Sequence, residues 1–226
     1  MSVKKRISTI NWEKDIYAQG LQLNRWPFSD VVSVVMRAAV GKNHKEISVL
    51  EVGCGTGNNI WFLAEEGFNS YGIDISSSAI AHGKRHLAMR GVQAELRVGD
   101  ISSLPWGDGS FNFVLDRGAL TQIDYAHIET VLSEVLRVLK PGGKMFCFTL
   151  LGMENPDRLL GSEVSKNTYD RFSGGRFSKV GLTSFFTVQD LHYLFKKFHK
   201  VEIHRHVEFN ETGSILDETY TVTAEK

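Results

Sequence analysis

The chain has 226 residues, 42% hydrophobic and 23% charged, with 26 basic against 26 acidic side chains and a formal net charge of zero. That length suits one domain whose core needs no disulfide or metal staple, and the composition excludes wholesale disorder. The neutral balance argues against a dedicated nucleic-acid binder, which needs a basic excess on one face.

Residues 1–45 read as a helical lead-in, with Trp12, Tyr17, Trp26 and Phe28 set among polar residues. No apolar run follows the basic start Met1 to Arg6, so no signal peptide is expected. No stretch approaches the ~18–20 apolar residues that span a bilayer. Only two cysteines are present, Cys54 and Cys147, which fits a reducing compartment. The expectation is a soluble cytoplasmic protein without a membrane partner, as a monomer or homodimer.

From 46 to 151, short β-rich runs alternate with helical patterns. Val49 to Val52 reads as a strand ending at glycines, 57–66 as a helix, Ser70 to Ile75 as a strand, and Ser76 to Arg90 as a helix closed by Gly91. Ala94 to Val98 and Phe111 to Leu115 are the next strands. Ile128, Val131, Leu132, Val135, Leu136 and Leu139 recur every three or four residues, which is one face of a helix. Pro141-Gly142-Gly143 stops that helix and turns the chain into a strand from Lys144 to Leu150. Strands separated by helices of this length imply right-handed crossovers and a parallel sheet covered on both faces.

Residues 152–183 are weakly patterned and rich in Gly, Ser and charge, as a functional or mobile excursion would be. Thr187-Val188-Gln189-Asp190 has the form of a capping box, followed by an apolar face of Leu191, Leu194, Phe195 and Phe198. Val201 to Phe209 and Glu218 to Ala224 read as a closing hairpin. The expected organisation is one domain: lead-in or lid at 1–45, cofactor-binding core at 46–151, acceptor-side insertion at 152–183, and a C-terminal helix and strands at 184–226.

The informative segment is Glu51-Val52-Gly53-Cys54-Gly55-Thr56-Gly57, directly after a strand and opening a helix. Glycines there permit a tight turn and close approach of a ligand to the backbone. Asp74 follows at the end of the next strand, where a carboxylate can accept from ribose hydroxyls. These features point to a nucleoside-containing cofactor on a Rossmann-like sheet. The dinucleotide fingerprint is G-x-G-x-x-G, whereas the glycines here stand at 53, 55 and 57, with Asn at 58.

That spacing resembles motif I of the class I S-adenosylmethionine-dependent methyltransferases of the small-molecule type. Gly99-Asp100-Ile101 followed by Leu104-Pro105 resembles the family's adenine-reading segment. Phe111 to Asp116 resembles its fourth strand, although Asn112 stands where the family often has Asp. Leu139 to Gly143 resembles its signature before strand five. The resemblance implies an α/β fold, a doubly wound seven-stranded sheet of order 3-2-1-4-5-7-6 with strand seven antiparallel. It also implies S-adenosylmethionine as cofactor. It assigns Gly53, Cys54, Gly55 and Gly57 to the methionine cradle, with Glu51 beneath it. Asp74 falls to the ribose, Ile75 to a face of the adenine, Asp100 and Ile101 to the adenine edge, and Asp116 and Arg117 nearest the sulfonium.

No general base follows from the resemblance. Many relatives carry His-His after the Ala-Leu beyond strand four, where this chain has Thr121-Gln122. Asp116, Arg117 and His127 are the remaining candidates for a catalytic role. His204 and His206 alternate on a strand without a third ligand, so no metal is expected. The acceptor is read as a small molecule, with saccharide, quinone-like and secondary-metabolite acceptors all open. Tyr17, Arg25, Trp26, Arg158, Tyr169, Phe172 and Arg176 are candidate acceptor-binding residues, because aromatics line pockets and arginines hold anions. A silent S-adenosylmethionine-binding protein and a nicotinamide-dependent reductase are the alternatives.

Overall fold

The computed structural model describes residues 10–226; the expectation about Met1 to Arg6 lies outside the described residues. The central strands are β1 (Ser48–Val52), β2 (Asn69–Asp74), β3 (Glu95–Val98), β4 (Phe111–Arg117) and β5 (Leu139–Gly152). They pair in the order β3-β2-β1-β4-β5, all parallel. β10 (Ile215–Glu225) pairs antiparallel with β5, and β9 (Lys200–Phe209) pairs antiparallel with β10. β10 thus holds the place of the expected seventh strand and β9 that of the sixth.

Apolar residues on alternate sides of these strands bury both faces of the sheet. On one face α1 (Ser29–Ala38) and α2 (Asn58–Glu65) cover Val49, Phe113, Leu115, Phe146 and Phe148. α3 (Ser77–Arg90) packs beside them against Leu96. On the other face α4 (Tyr125–Val138) and α5 (Val188–Leu194) cover Val114, Met145, Cys147 and Val222. The α4 stripe Ile128, Val131, Leu132 and Val135 faces inward, as its period requires. α3 starts at a Ser76 side-chain cap and ends at Gly91 in the left-handed region. The capping box at Thr187 and Asp190 is formed.

Two differences from the sequence reading stand out. Residues 152–186 are not a loose excursion. A helical turn (Pro156–Leu160) leads into three short strands, β6 (Ser162–Ser165), β7 (Thr168–Asp170) and β8 (Thr183–Phe186), so the described residues form ten strands, not seven. β8 pairs Leu151 and Gly152 at the end of β5, past Phe148, where β4 pairing stops. The second difference lies at Leu139 to Gly143. Helix α4 already ends at Val138, and Leu139 pairs with Phe111, so the strand begins before the glycines. Gly142, at φ +72°, then donates to Lys226 O and ties the C-terminal end of the chain to this corner. Asn112 accepts from Ser48 N and Lys140 Nζ in the same region. The departure from the family's Asp there serves the strand start, at the opposite end of β4 from the glycine loop. No helix among the described residues is long and apolar enough to cross a membrane.

Candidate functional site

Gly53, Gly55 and Gly57 follow β1 with φ of +65°, +52° and +72°. Two of these positions leave no room for a side chain. A Cβ on Gly53 would stand 2.3 Å from Ala119 Cβ, and one on Gly55 would stand 2.6 Å from the Tyr17 hydroxyl. The loop is therefore a bare-backbone cradle enclosed by the turn after β4 and by the lead-in segment. Cys54 Sγ turns away into a core of Ile60, Ile80 and Leu96, where burial pushes its thiol up. Its contribution to the cradle is backbone alone.

Asp74 closes the loop from β2. Its Oδ2 accepts from Gly55 N at 2.8 Å and its Oδ1 from Ser76 N at 2.9 Å. Burial raises its carboxyl above the usual range. A carboxylate has about four lone-pair sites, so two amides leave acceptor capacity facing the cavity.

A cavity of about 220 Å³ lies over the cradle, lined among others by Trp12, Tyr17, Gly53, Asp74, Ile75, Asp100, Ile101, Arg117 and Gln122. It adjoins a second lobe of about 470 Å³ that shares Trp12, Ile75, Asp100, Ile101 and Gln122 and extends to His127 and Leu182. Ile75 is 66% exposed, an apolar side chain on the cavity wall. Asp100 Oδ1 accepts from Ser102 N and Oγ, which folds the turn after β3 around it.

Three buried oxygens around the cradle have no hydrogen-bond partner: Glu51 Oε2, Asp116 Oδ2 and Gln122 Oε1. Glu51 Oε1 accepts from Asn59 Nδ2 at 2.6 Å, and Asp116 Oδ1 from Leu120 N at 3.0 Å. Burial pushes Glu51 up to about 8 and Asp116 up to about 7, against the pull of Arg117. Arg117 donates to Asp30 Oδ2 at 3.0 Å and Thr149 Oγ1 at 2.9 Å, with its guanidinium 4.1 Å from the centre of the Phe28 ring. Orphaned acceptors of this kind suit a ligand that brings N–H donors or positive charge.

The lead-in encloses the site in two ways. A turn at Trp12–Ile16 sets the Glu13 carboxylate against the start of α3, where it accepts from Ser76 Oγ, Ser78 N and Ser78 Oγ and is held down to about 2. An anion at a helix N-terminus is the favoured polarity. Residues 24–28 then lie across α2: Thr56, Asn58 and Trp61 donate to the carbonyls of Asn24, Trp26 and Arg25, and Phe28 N donates to Asn59 Oδ1.

The structure brings Gly53, Asp74, Ile75, Asp100, Ile101 and Arg117 together on the cavity wall, with Glu51, Asp116 and the loop glycines around it. Of the residues expected to meet an acceptor, Tyr17 alone lines it. Arg25 lies over the Trp26 ring, and Trp26 meets Trp61 edge to face, on the outside of α2. Arg158 bonds Met153 O and the Tyr169 hydroxyl. Tyr169 and Phe172 fill a small core with Phe185, and Arg176 is paired with Asp157 and Asp217. These four stabilise the β6–β8 region and do not line either lobe. His127 is exposed on α4 at the far end of the larger lobe. Trp12 and Gln122 are wall residues that the sequence reading assigned no role. The signal for Gln122 is its place just past β4, in the turn whose Ala119 closes over Gly53.

A parallel sheet ending in a glycine cradle, with an acid at the end of the neighbouring strand, defines a Rossmann-like nucleoside-binding domain. Residues 49–143 match the family described as a methyltransferase domain. The fold is that of an S-adenosylmethionine-dependent methyltransferase from Methanosarcina mazei, at 24% identity and TM-score 0.67 over 85% of this chain and 96% of that one. It is also that of phosphoethanolamine N-methyltransferase 2 from Haemonchus contortus, solved with S-adenosylhomocysteine, at 16% identity and TM-score 0.64 over 91% of this chain and 54% of that one. In sequence the chain is similar to an uncharacterized methyltransferase of Synechocystis, 34% identical over 112 residues, or 50% of each chain. It is also similar to a demethylmenaquinone methyltransferase of Bacillus cereus, 38% identical over 103 residues, or 43% of this chain and 42% of that one. The chain spans about half the length of the curated relatives it matches. The match to a methyltransferase domain thus covers residues 49–143, and the solved structures share the fold around it.

Proposed function

We propose that the chain transfers a methyl group from S-adenosylmethionine to a small-molecule acceptor. The observation that carries this reading is the cradle. Glycines admit no side chain over it, and the buried oxygens of Glu51, Asp116 and Gln122 lack partners beside it. A ligand with an ammonium group, a ribose and a cationic centre meets those demands together. When bound, S-adenosylmethionine supplies an activated methyl group on a sulfonium that departs as a thioether.

The residues divide the remaining work. Glu51, with Asp116 behind the cavity wall, would hold the ammonium, while Gly53 and Gly55 leave their backbone open to the methionine portion. Asp74 would accept from both ribose hydroxyls with its spare lone pairs. Ile75 would cover one face of the adenine, with Asp100 and the Ile101 amide at its edge. Tyr17 and Trp12 would exclude water from the transfer path. Burial raises the Tyr17 hydroxyl well above its ordinary range, so it stays a neutral phenol at the cradle. No residue on the wall of the smaller lobe is a histidine. Positioning an acceptor whose own lone pair is reactive is therefore the main demand on the site.

A relative named for demethylmenaquinone suggests quinone-like acceptors, alongside the saccharide and secondary-metabolite classes. Incubation with methyl-labelled S-adenosylmethionine and fractionated cell extract tests the proposal, with the labelled product then identified. Label in a small-molecule fraction is expected. Cofactor binding without transfer to any fraction would instead support the silent binding role.

A further inference from the structure

On the sheet face that α1 covers, a separate cavity of about 620 Å³ opens between α1 and the β9–β10 hairpin. Asp30 and Arg37 contribute its wall from α1, seven residues apart and so on one helical face. His204 and His206 contribute from β9, directly opposite Thr221 and Thr219 on β10. Thr149 lies at its inner end, with φ of +54°. A β-branched residue in the left-handed region is a strained conformation that marks a constrained position. Here it points the hydroxyl at Arg117.

The charges on this wall are unbalanced. Asp30 is the one carboxylate among the described lining residues, and Arg117 already holds it at 3.0 Å. Arg37 donates to a backbone carbonyl, Ser33 O, at 3.1 Å. Of the acids sharing the alternation of His204 and His206 on β9, Glu202 is paired with Lys200, and Glu208 lies toward the far end of the strand. One guanidinium and two imidazoles thus face the groove among hydroxyls.

We propose that this groove is a second ligand site, for a small molecule bearing a phosphate group, and that its occupancy is felt at the cofactor cavity through Arg117. Arg37 supplies a charged fork for the phosphate oxygens, His204 supplies a ring N–H donor, and His206, whose Nε2 is hydrogen-bonded to Thr221 Oγ1, can offer its other ring nitrogen. An anion beside Arg37 repels Asp30 and weakens its hold on Arg117, a residue that also lines the other cavity. The coupling rests on the methyltransferase reading; the binding does not.

Calorimetric titration of the full chain with inorganic phosphate, and separately with glycerol 3-phosphate, tests the site. Saturable binding is expected. Arg37→Ala, and separately His204→Gln with His206→Gln, should each weaken it about tenfold or more. Binding of both probes assigns the site to the phosphate group itself, and binding of glycerol 3-phosphate alone assigns it to a phosphomonoester. No saturable binding of either probe, or equal binding by both folded variants, overturns the site. S-adenosylhomocysteine affinity should shift with saturating phosphate in the parent and not in Arg37→Ala, and an unchanged affinity in the parent overturns the coupling. Failure to bind S-adenosylhomocysteine at all counts against the methyltransferase reading and leaves the phosphate titration intact.

Discussion

Asp74→Ala separates cofactor recognition from support of the loop, because the proposed ribose acceptor is also the carboxylate that holds the loop. Its carboxylate accepts from Gly55 N and Ser76 N, at 2.8 and 2.9 Å, and is 7% exposed. Removing it strands two amides, and water entering from the adjoining cavity softens the loss to the low end of the range, about 1 kcal/mol for each. The melting temperature should therefore fall by about 4–8 °C with the fold retained. The effect on binding is larger. Two hydroxyl bonds to a charged acceptor are worth about 1.5–3 kcal/mol each, so affinity for S-adenosylhomocysteine should fall by about a hundredfold to ten-thousandfold. Asp74→Asn keeps one acceptor oxygen but turns an NH₂ toward a donor, and should fall between the parent and Asp74→Ala. Titration calorimetry reads the affinity and thermal denaturation the fold. A folded Asp74→Ala protein that binds within a few-fold of the parent would refute the assignment.

Gly53→Ala forces a side chain into the left-handed region and to 2.3 Å from Ala119 Cβ. The strain costs about 1–2 kcal/mol and the overpacking about 1–3 kcal/mol, so stability should drop and cofactor binding should vanish. Ala119→Gly added to it should recover part of both, whereas no recovery would show that the contact is not the cause. Glu51 and Asp116 bind protons more tightly folded than unfolded, at about 8 and about 7 in the folded chain. Their contribution to stability is therefore present at acid pH and is lost as pH rises from the ordinary carboxylate range toward about 8. Urea midpoints across that window should decline less steeply in Glu51→Gln/Asp116→Asn than in the parent; identical slopes would contradict the burial argument. Glu13, held down to about 2, anchors the lead-in at neutral pH and loses its hold only as pH falls toward that value. Glu13→Ala should speed hydrogen exchange across 12–19 at pH 7 while the central strands stay protected, and unchanged exchange there would reject the anchor.

The sheet was legible because its signals are local. The α4 stripe, the Ser76 and Gly91 caps and the Thr187 capping box are written within one helix each. The glycine loop was legible for a similar reason: a left-handed turn over a ligand admits few residues. The strands at 162–186 were not. They are three or four residues long, and Thr168, Asp170, Thr183 and Ser184 are buried polar residues that break any apolar alternation. Their register comes from distant partners of Thr168, such as Ser184, which shares a hydroxyl–hydroxyl hydrogen bond with it, and Tyr125, whose N–H donates to its Oγ1. The site's roof was hidden likewise, since Glu13 finds its serines 63 to 65 residues away. The arginines and aromatics of 152–183 read as ligand-binding by type. They are instead spent on ion pairs and a small core, which residue type alone does not distinguish.

The central claim is the identity of the cofactor, and a direct titration of the full chain tests it most simply. S-adenosylmethionine or S-adenosylhomocysteine should bind saturably with a dissociation constant on the order of micromolar, about −8 kcal/mol. NAD(H) should give no saturable heat at the same protein concentration. Binding of NAD(H) with none of the sulfonium compound or its demethylated product would contradict the account.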